Sequence, residues 1–188
     1  MRRRRSGVAA RPRNGRQRSG LGPRGPWTLL VAGVTLGGIL EAVVVSRLGR
    51  AVLPAPVATA LDAVVAVVTL VLLVALASPL WSRHLLDQQQ VRLRLGCLGD
   101  VVVPLSHVRS ATAYTSPVMQ PAQLGADFDP ATGRLSLIRS SASNLVLLEL
   151  NGDVPARYQG LRHVRACAVL VSVDDAARFL ETLDAARA

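Results

Sequence analysis

Two long apolar stretches dominate the first half of the chain. Residues 27–46 read WTLLVAGVTLGGILEAVVVS and residues 57–79 read VATALDAVVAVVTLVLLVALASP, each with one acidic residue. About 20 apolar residues in a helix match the roughly 30 Å hydrocarbon thickness of a bilayer, and neither stretch has the polar face of a soluble amphipathic helix. The pattern predicts two membrane-spanning helices, 27–46 and 57–79, within a transmembrane hairpin over residues 27–80.

A cleaved signal peptide is the main alternative interpretation of the first stretch. Its apolar run is longer than the central region of a typical signal peptide, and RLGRAV after it has no A-x-A-like cleavage site. A second full-length apolar stretch follows almost at once. We therefore expect two uncleaved helices, joined by the turn RLGRAVLPAP.

The second half of the chain changes to alternating apolar and polar residues. VRLRLG and RLSLIR alternate as half-buried strands do, NLVLLEL precedes an NGD turn, and RHVRACAVLVSV is a longer strand. In VDDAARFLETLDAARA the apolar residues recur at helical spacing, with Ser172 at the expected N-cap and Phe179 facing inward. The pattern predicts an α+β protein in which a small antiparallel β-barrel or sandwich over 81–188, closed by a C-terminal helix, folds as one unit.

Charge is concentrated at the N-terminus. Residues 1–24 hold nine arginines and no acid, whereas the rest of the chain has 13 arginines against 12 acids. A nucleic-acid-binding domain would spread its basic residues over a folded face and add aromatic residues for stacking, so no specific nucleic-acid partner is expected. We expect residues 1–26 to form a disordered cytoplasmic tail that sets topology and contacts anionic lipid. The candidate membrane-surface residues are Arg2, Arg3, Arg4, Arg5, Arg11 and Arg13.

Arginine counts also predict the orientation. The N-terminal flank has nine arginines and the segment after the second stretch has Arg83, Arg92 and Arg94, but the intervening turn has only Arg47 and Arg50. By the positive-inside rule both termini lie in the cytoplasm and the turn lies outside the cell membrane.

Each apolar stretch carries one acid at a similar predicted depth, Glu41 in the first and Asp62 in the second. Gly33, Gly37 and Glu41 share one helical stripe, so close helix approach would bring the two carboxyl groups together as a polar pair within the membrane. Three interpretations stay open: a packed hairpin whose acids pair with Arg47 or Arg50, self-association through the glycine stripe, or a proton or cation path.

A family resemblance rests on the end of the chain. Ser172, Val173, Asp174, Asp175, Phe179 and Leu180 in SVDDAARFL, together with DVVVPLSHVRS (100–110), resemble bacterial PH-like domain proteins of actinobacteria that carry two transmembrane helices. The resemblance implies a PH-like barrel with a C-terminal helix that binds lipids, peptides or neighbouring proteins without catalysis.

One part of the sequence departs from phosphoinositide-binding PH domains. Those domains place basic residues in the loop between their first two strands, whereas the corresponding GCLGD (96–100) has none. Headgroup recognition through that loop is therefore not expected. The better candidate basic patch lies around a later turn and consists of Arg157, Arg162 and Arg165.

The sequence contains no recognisable catalytic or cofactor site. Cys97 and Cys167 lack C-x-x-C spacing and are expected to be small core residues, while the three histidines lack metal-ligand spacing. We therefore expect neither an enzyme nor a metal or cofactor. The main hypothesis is a membrane-tethered binding or scaffold module that docks a protein or lipid partner at the inner face of the cell membrane. The alternative is an accessory subunit or regulator of a membrane transport or envelope-assembly complex that acts through the hairpin.

Overall fold

The structure, a computed structural model, describes residues 17–116, 123–140 and 144–187. Two long helices, α1 (Gly25–Val52) and α2 (Ala55–Ala77), are both long and apolar enough to cross a membrane. The predicted pair of helices is therefore confirmed, but the turn between them is shorter than expected. Residues 47–52 continue α1, and only Leu53 and Pro54 separate the helices, because Pro54 has no N–H with which to extend α1.

The two helices pack side by side in antiparallel directions. The indole N–H of Trp27, near the start of α1, donates a 2.8 Å hydrogen bond to the carbonyl of Leu76, near the end of α2. Gly38 and Gly49 lie on the face of α1 that meets α2, where a methyl group would contact Thr69 and Leu61. Most of the other apolar side chains of the hairpin point outward and are exposed.

A nine-stranded mixed sheet and a C-terminal helix form the rest of the described protein. The strands are β1 (Gln17–Ser19), β2 (His84–Leu86), β3 (Gln90–Leu95), β4 (Gly99–Pro104), β5 (Val108–Tyr114), β6 (Gly125–Asp129), β7 (Arg134–Ile138), β8 (Asn144–Tyr158) and β9 (Arg162–Val173), followed by α3 (Ala176–Arg187). Their order in the sheet is β1-β2-β3-β4-β8-β9-β7-β6, with β5 paired to β8, and all pairs are antiparallel except β7 and β9. The α+β class with a C-terminal helix is confirmed, but the sheet is open, since β1, β5 and β6 each pair with only one described strand.

Strand β8 bends the sheet. Its first part pairs with β5 and its last residues pair with β4, while β9 runs along its other side. The NGD sequence is an irregularity inside β8 and not the predicted turn: Gly152 has φ +115°, and the pairing register shifts between Glu149 and Val154. The strand continues because both of its halves pair with the same neighbour.

The core lies inside the curled sheet and beneath α3. Val91, Leu93 and Leu95 alternate along β3 as predicted and are fully buried, and Phe179 of α3 is buried among the same residues. The N-cap of α3 differs from the prediction. Asp175 accepts a 3.0 Å hydrogen bond from the N–H of Arg178, whereas Ser172 is buried as part of β9.

The domain also includes residues that the sequence assigned to the disordered tail. Strand β1 pairs with β2, and Leu21 is fully buried in the domain core. The predicted boundary at residue 26 is therefore too late, because burial of one apolar side chain and pairing of an open strand edge order the segment. The other candidate tail residues lie outside the described residues and stay predictions: Arg2, Arg3, Arg4, Arg5, Arg11 and Arg13.

Candidate functional site

The hairpin is joined to the domain by two short segments, residues 20–24 before α1 and residues 78–83 after α2. We call this region the junction. The turn between β3 and β4 docks onto it, since the N–H of Cys97 donates to Ser78 Oγ (2.8 Å) and the N–H of Gly96 donates to Ser82 Oγ (2.6 Å). Gly96 has φ +58°, and a Cβ there would collide with residues 78–79. The backbone N–H groups of Gly96 and Cys97 are thus engaged by the segment that follows α2.

Arg139 holds both segments of the junction. Its side chain is only 2% exposed, and its guanidinium donates to the carbonyl of Gly22 and, at 3.4 Å, to the carbonyl of Pro79. Burial lowers the pKa of Arg139; nearby Asp174 opposes this shift and nearby Arg24 adds to it. Its Nε has no hydrogen-bond partner among the described residues. A buried cation therefore lies at the junction with one donor still unsatisfied.

His84 fills the space beside Arg139 as a neutral side chain. Its Nδ1 accepts from the N–H of Arg94 (3.3 Å), which assigns the proton to Nε2, and Nε2 donates to the carbonyl of Ser172 (3.1 Å). Burial lowers the pKa of His84 to about 4, although the hydrogen bond to Ser172 opposes the shift. This histidine is a structural link between β2, β3 and β9, which sequence spacing did not indicate.

A polar cavity of about 280 Å³ opens at the junction. Three guanidinium groups and one carboxylate line it, and the carboxylate Oδ1 of Asp174 already accepts a 2.6 Å hydrogen bond from the N–H of Gly22. The ion pairs of the described residues do not include these arginines. The cavity therefore has a surplus of positive charge. Its lining residues are Gly20, Gly22, Arg24, Ser82, Arg83, Arg139 and Asp174.

A wider groove of about 590 Å³ lies on the other side of Arg83, between the end of α2 and strands β2 and β3. Trp81, 72% exposed, forms one wall. Arg92 and Arg94 also line the groove, and Arg92 makes an ion pair with Asp100 of β4. The groove leads from the junction onto the exposed side of the sheet.

That exposed side carries a row of charged residues across four strands, which we call the outer face. Arg94 pairs in register with Asp100, Asp100 with Arg157, and Arg157 with His163. Arg92 and Arg165 lie in neighbouring positions on the same side, since side chains two residues apart share a face. The outer face thus holds Arg92, Arg94, Arg157 and Arg165 together with two acids, Asp100 and, beyond Pro155 on the exposed side of β8, Asp153.

The structure divides the predicted basic patch. Arg157 and Arg165 lie on the outer face, but Arg162 projects from the opposite side of the hairpin of β8 and β9, where it donates to Tyr158 Oη at 3.5 Å. The sequence placed the three together around a turn, whereas strand alternation separates them. It did not indicate that Arg92 and Arg94 would join Arg157 and Arg165.

Glu41 and Asp62 of the hairpin do not form the polar pair that was one expectation from the sequence. Asp62 accepts from Arg50 (3.0 Å) and Ser46 (3.1 Å), which is one of the pairings predicted for it. Glu41 is exposed, and nothing lies within 4 Å of a Cβ placed at Gly33 or Gly37. Gly38 faces α2, and each residue advances by about 100° around a helix. The stripe of Gly33, Gly37 and Glu41 therefore lies on a side of α1 that does not contact α2.

The cysteines also differ from expectation. Cys97 is exposed in the turn at the junction, while Cys167 is half-buried and its thiol donates to the carbonyl of Thr132 (3.2 Å). Within the described ranges no group of three or more His, Cys, Asp or Glu side chains is arranged to hold a metal ion.

Two apolar helices, a mostly antiparallel open sheet and a C-terminal helix agree with the coarse architecture that the sequence predicts. Comparison of the chain with protein-family models, with curated proteins and with solved structures found no match.

Proposed function

We propose that this chain is a membrane-tethered, non-catalytic binding module that docks an acidic segment of a partner protein at the inner face of the cell membrane. The observation that carries the proposal is the outer face, where the four arginines Arg92, Arg94, Arg157 and Arg165 outnumber the two acids Asp100 and Asp153. Complementary charge guides association and fixes the register of a partner, so a surplus of arginine on the exposed side of the sheet suits an acidic segment.

The exposed apolar surface of the hairpin supports the membrane tether. Leu36 and Leu72 are 72% and 63% exposed, and similar side chains cover both helices. A contiguous apolar surface of this kind is unfavourable in water and favourable in lipid. The arginine bias at the ends of the helices supports a cytoplasmic domain, and the resemblance to PH-like proteins supports a role in binding.

The junction supports a scaffold role. Arg139, Ser78 and Ser82 connect the domain to both ends of the hairpin through hydrogen bonds. Such a connection would hold the outer face at a fixed position near the bilayer, unlike a flexible linker, which would let the domain wander.

Cysteine labelling tests the orientation. Ala51→Cys, in a chain with Cys97→Ser and Cys167→Ser, should react with a membrane-impermeant maleimide on intact cells. The matched control Ser106→Cys, exposed in the domain, should react only after the cells are permeabilised. Labelling of Ser106→Cys on intact cells would contradict a cytoplasmic domain.

Photo-crosslinking in native membranes tests the docking surface. The double variant Arg157→Glu, Arg165→Glu should lose the crosslinked partner. The control double variant Arg109→Glu, Arg178→Glu makes the same charge change at exposed positions off the outer face and should keep it. A partner retained by both variants and by the hairpin alone would contradict docking on the outer face and favour the alternative, an accessory subunit that acts through the hairpin.

A further inference from the structure

We propose that the junction cavity binds the phosphate group of an anionic lipid headgroup. The inference depends on the membrane tether proposed above, but it assigns a second site, separate from the outer face. It also differs from the headgroup loop of PH domains, because the corresponding turn is packed against Ser78 and Ser82.

The cavity has more positive charge than its own structure neutralises. Arg24, Arg83 and Arg139 line it with only Asp174 to oppose them. Asp174 forms no direct ion pair with any of these arginines, and one of its oxygens is engaged by the N–H of Gly22. An anion in the cavity would relieve the repulsion that Arg24 exerts on Arg139.

Arg139 provides the second and independent observation. It is almost completely buried, it lines the cavity, and its Nε has no partner among the described residues. A buried donor without an acceptor is costly. A phosphate oxygen is a strong acceptor for guanidinium donors, so a phosphate in the cavity would offset the charge of this buried cation.

The start of α1 increases the attraction for an anion. A helix N-terminus carries partial positive charge and favours a nearby negative group, yet the first turn of α1 has no acidic residue and its N-cap is Arg24. A cation at this end of a helix is unfavourable unless an anion lies close. The observed arrangement is therefore one that a phosphate would stabilise.

The position of the cavity favours a lipid over a free ion. The cavity lies where α1 begins and α2 has ended; Trp27 is in the first turn of α1 and Trp81 lies just after α2. Tryptophan is enriched at the headgroup level of membranes. The volume of the junction cavity, about 280 Å³, is several times the roughly 30 Å³ that one water molecule occupies in the liquid, so a phosphate group fits.

Tryptophan quenching provides a direct test with the full chain. The protein has two tryptophans, Trp27 and Trp81, both near the junction. The chain is placed in phosphatidylcholine nanodiscs that contain a rising fraction of brominated phosphatidylglycerol or, as the neutral comparison, brominated phosphatidylcholine. We expect the anionic lipid to quench half of the accessible fluorescence at a much lower fraction than the neutral lipid does.

Matched variants locate the site. Arg83→Gln removes an exposed cation of the cavity and should raise the half-quenching fraction of the anionic lipid about tenfold, the loss typical of one charge-assisted contact. Arg24→Gln should act in the same direction. Arg109→Gln makes the same charge change at an exposed position away from the junction and should have less than about a twofold effect.

Each contrary outcome has a distinct meaning. Equal curves for the two lipids, or equal shifts for Arg83→Gln and Arg109→Gln, would overturn the headgroup site while leaving the tether intact. Reversal of the selective quenching by inorganic phosphate, but not by chloride at the same ionic strength, would assign the cavity to free phosphate and overturn the lipid source. A chain that does not enter nanodiscs would contradict the tether itself.

Discussion

The hairpin and the domain use the same apolar residue types in opposite ways. Leu72 of α2 is 63% exposed, whereas Leu93 of β3 is fully buried, and the same contrast holds along both elements. In the hairpin the apolar side chains point outward, an arrangement that is unfavourable in water and favourable in lipid. In the domain, apolar and polar residues alternate along the strands, so the apolar side chains face the core and the polar ones face water. Burial of the apolar side chains stabilises the fold.

The junction shows how these two regions are connected. Leu21 precedes the first apolar helix in the chain yet belongs to the domain core, and Arg139 of the domain bonds to the segments on both sides of the hairpin. The boundary between the regions in space is therefore not the boundary in sequence. The following predictions test how separate the two regions are, from the largest expected effect to the smallest.

Phe179→Asp should unfold the domain and leave the hairpin helical. Phe179 is buried in the domain core, and a carboxylate without a partner there costs several kcal/mol. Limited proteolysis in detergent should show loss of the protected domain, while far-ultraviolet circular dichroism keeps a helical signal. Ala177→Asp, exposed on the same helix, is the control and should remain resistant. Equal resistance of both variants would contradict the burial of Phe179.

Leu21→Ala should destabilise the domain by about 2–5 kcal/mol, because it empties a fully buried site. Leu29→Ala, four residues into α1 and exposed, should change the free energy of unfolding by less than about 0.5 kcal/mol. Denaturant unfolding in detergent compares the two. The same contact predicts that residues 84–188 alone are less stable than a form that keeps residues 17–22. Equal stability of those two forms would show that β1 and Leu21 are dispensable.

Acid should weaken the domain through His84. Its pKa is about 4 in the folded protein against 6.5 when unfolded, so between these values only the unfolded chain binds the proton. The contribution of neutral His84 to the free energy of unfolding is therefore fully present above pH 6.5 and decreases as the pH drops towards 4. The decrease is about 2 kcal/mol between pH 7 and 5. Thermal unfolding over this range measures the slope. His84→Gln should flatten it, whereas His163→Gln, at an exposed position, should not; the same slope in all three proteins would refute this role of His84.

Asp62→Asn should have the smallest effect and should be confined to the hairpin. The substitution removes the charge that Arg50 contacts but keeps an acceptor for Ser46. Polar contacts between membrane helices average about 0.6 kcal/mol, so a loss near that value is expected in a mixed-micelle denaturation of the hairpin. Thr59→Ala is a suitable control, since Thr59 bonds only within its own helix. A change in domain stability would mean that the two regions are coupled through more than the junction.

Local patterns in the sequence were sufficient for the elements themselves. Uninterrupted apolar residues predicted α1 and α2, alternation predicted β3 and β7, and helical spacing predicted α3 with Phe179 buried. The ion pair of Arg50 and Asp62 was also among the predicted pairings. These features depend on which side of each segment faces water, and the spacing of apolar residues within a short stretch of sequence is enough to indicate that side.

Tertiary structure alone decided which segments meet. The open sheet, the parallel pairing of β7 with β9, the inclusion of β1 and the separation of Arg162 from Arg157 depend on strand register across distant parts of the chain. The candidate sites depend on the same register, because Arg24, Arg83 and Arg139 are remote in sequence and converge only when the strands pair and Leu21 packs into the core. Register is fixed by cooperative burial of whole faces, so short-range patterns do not specify it.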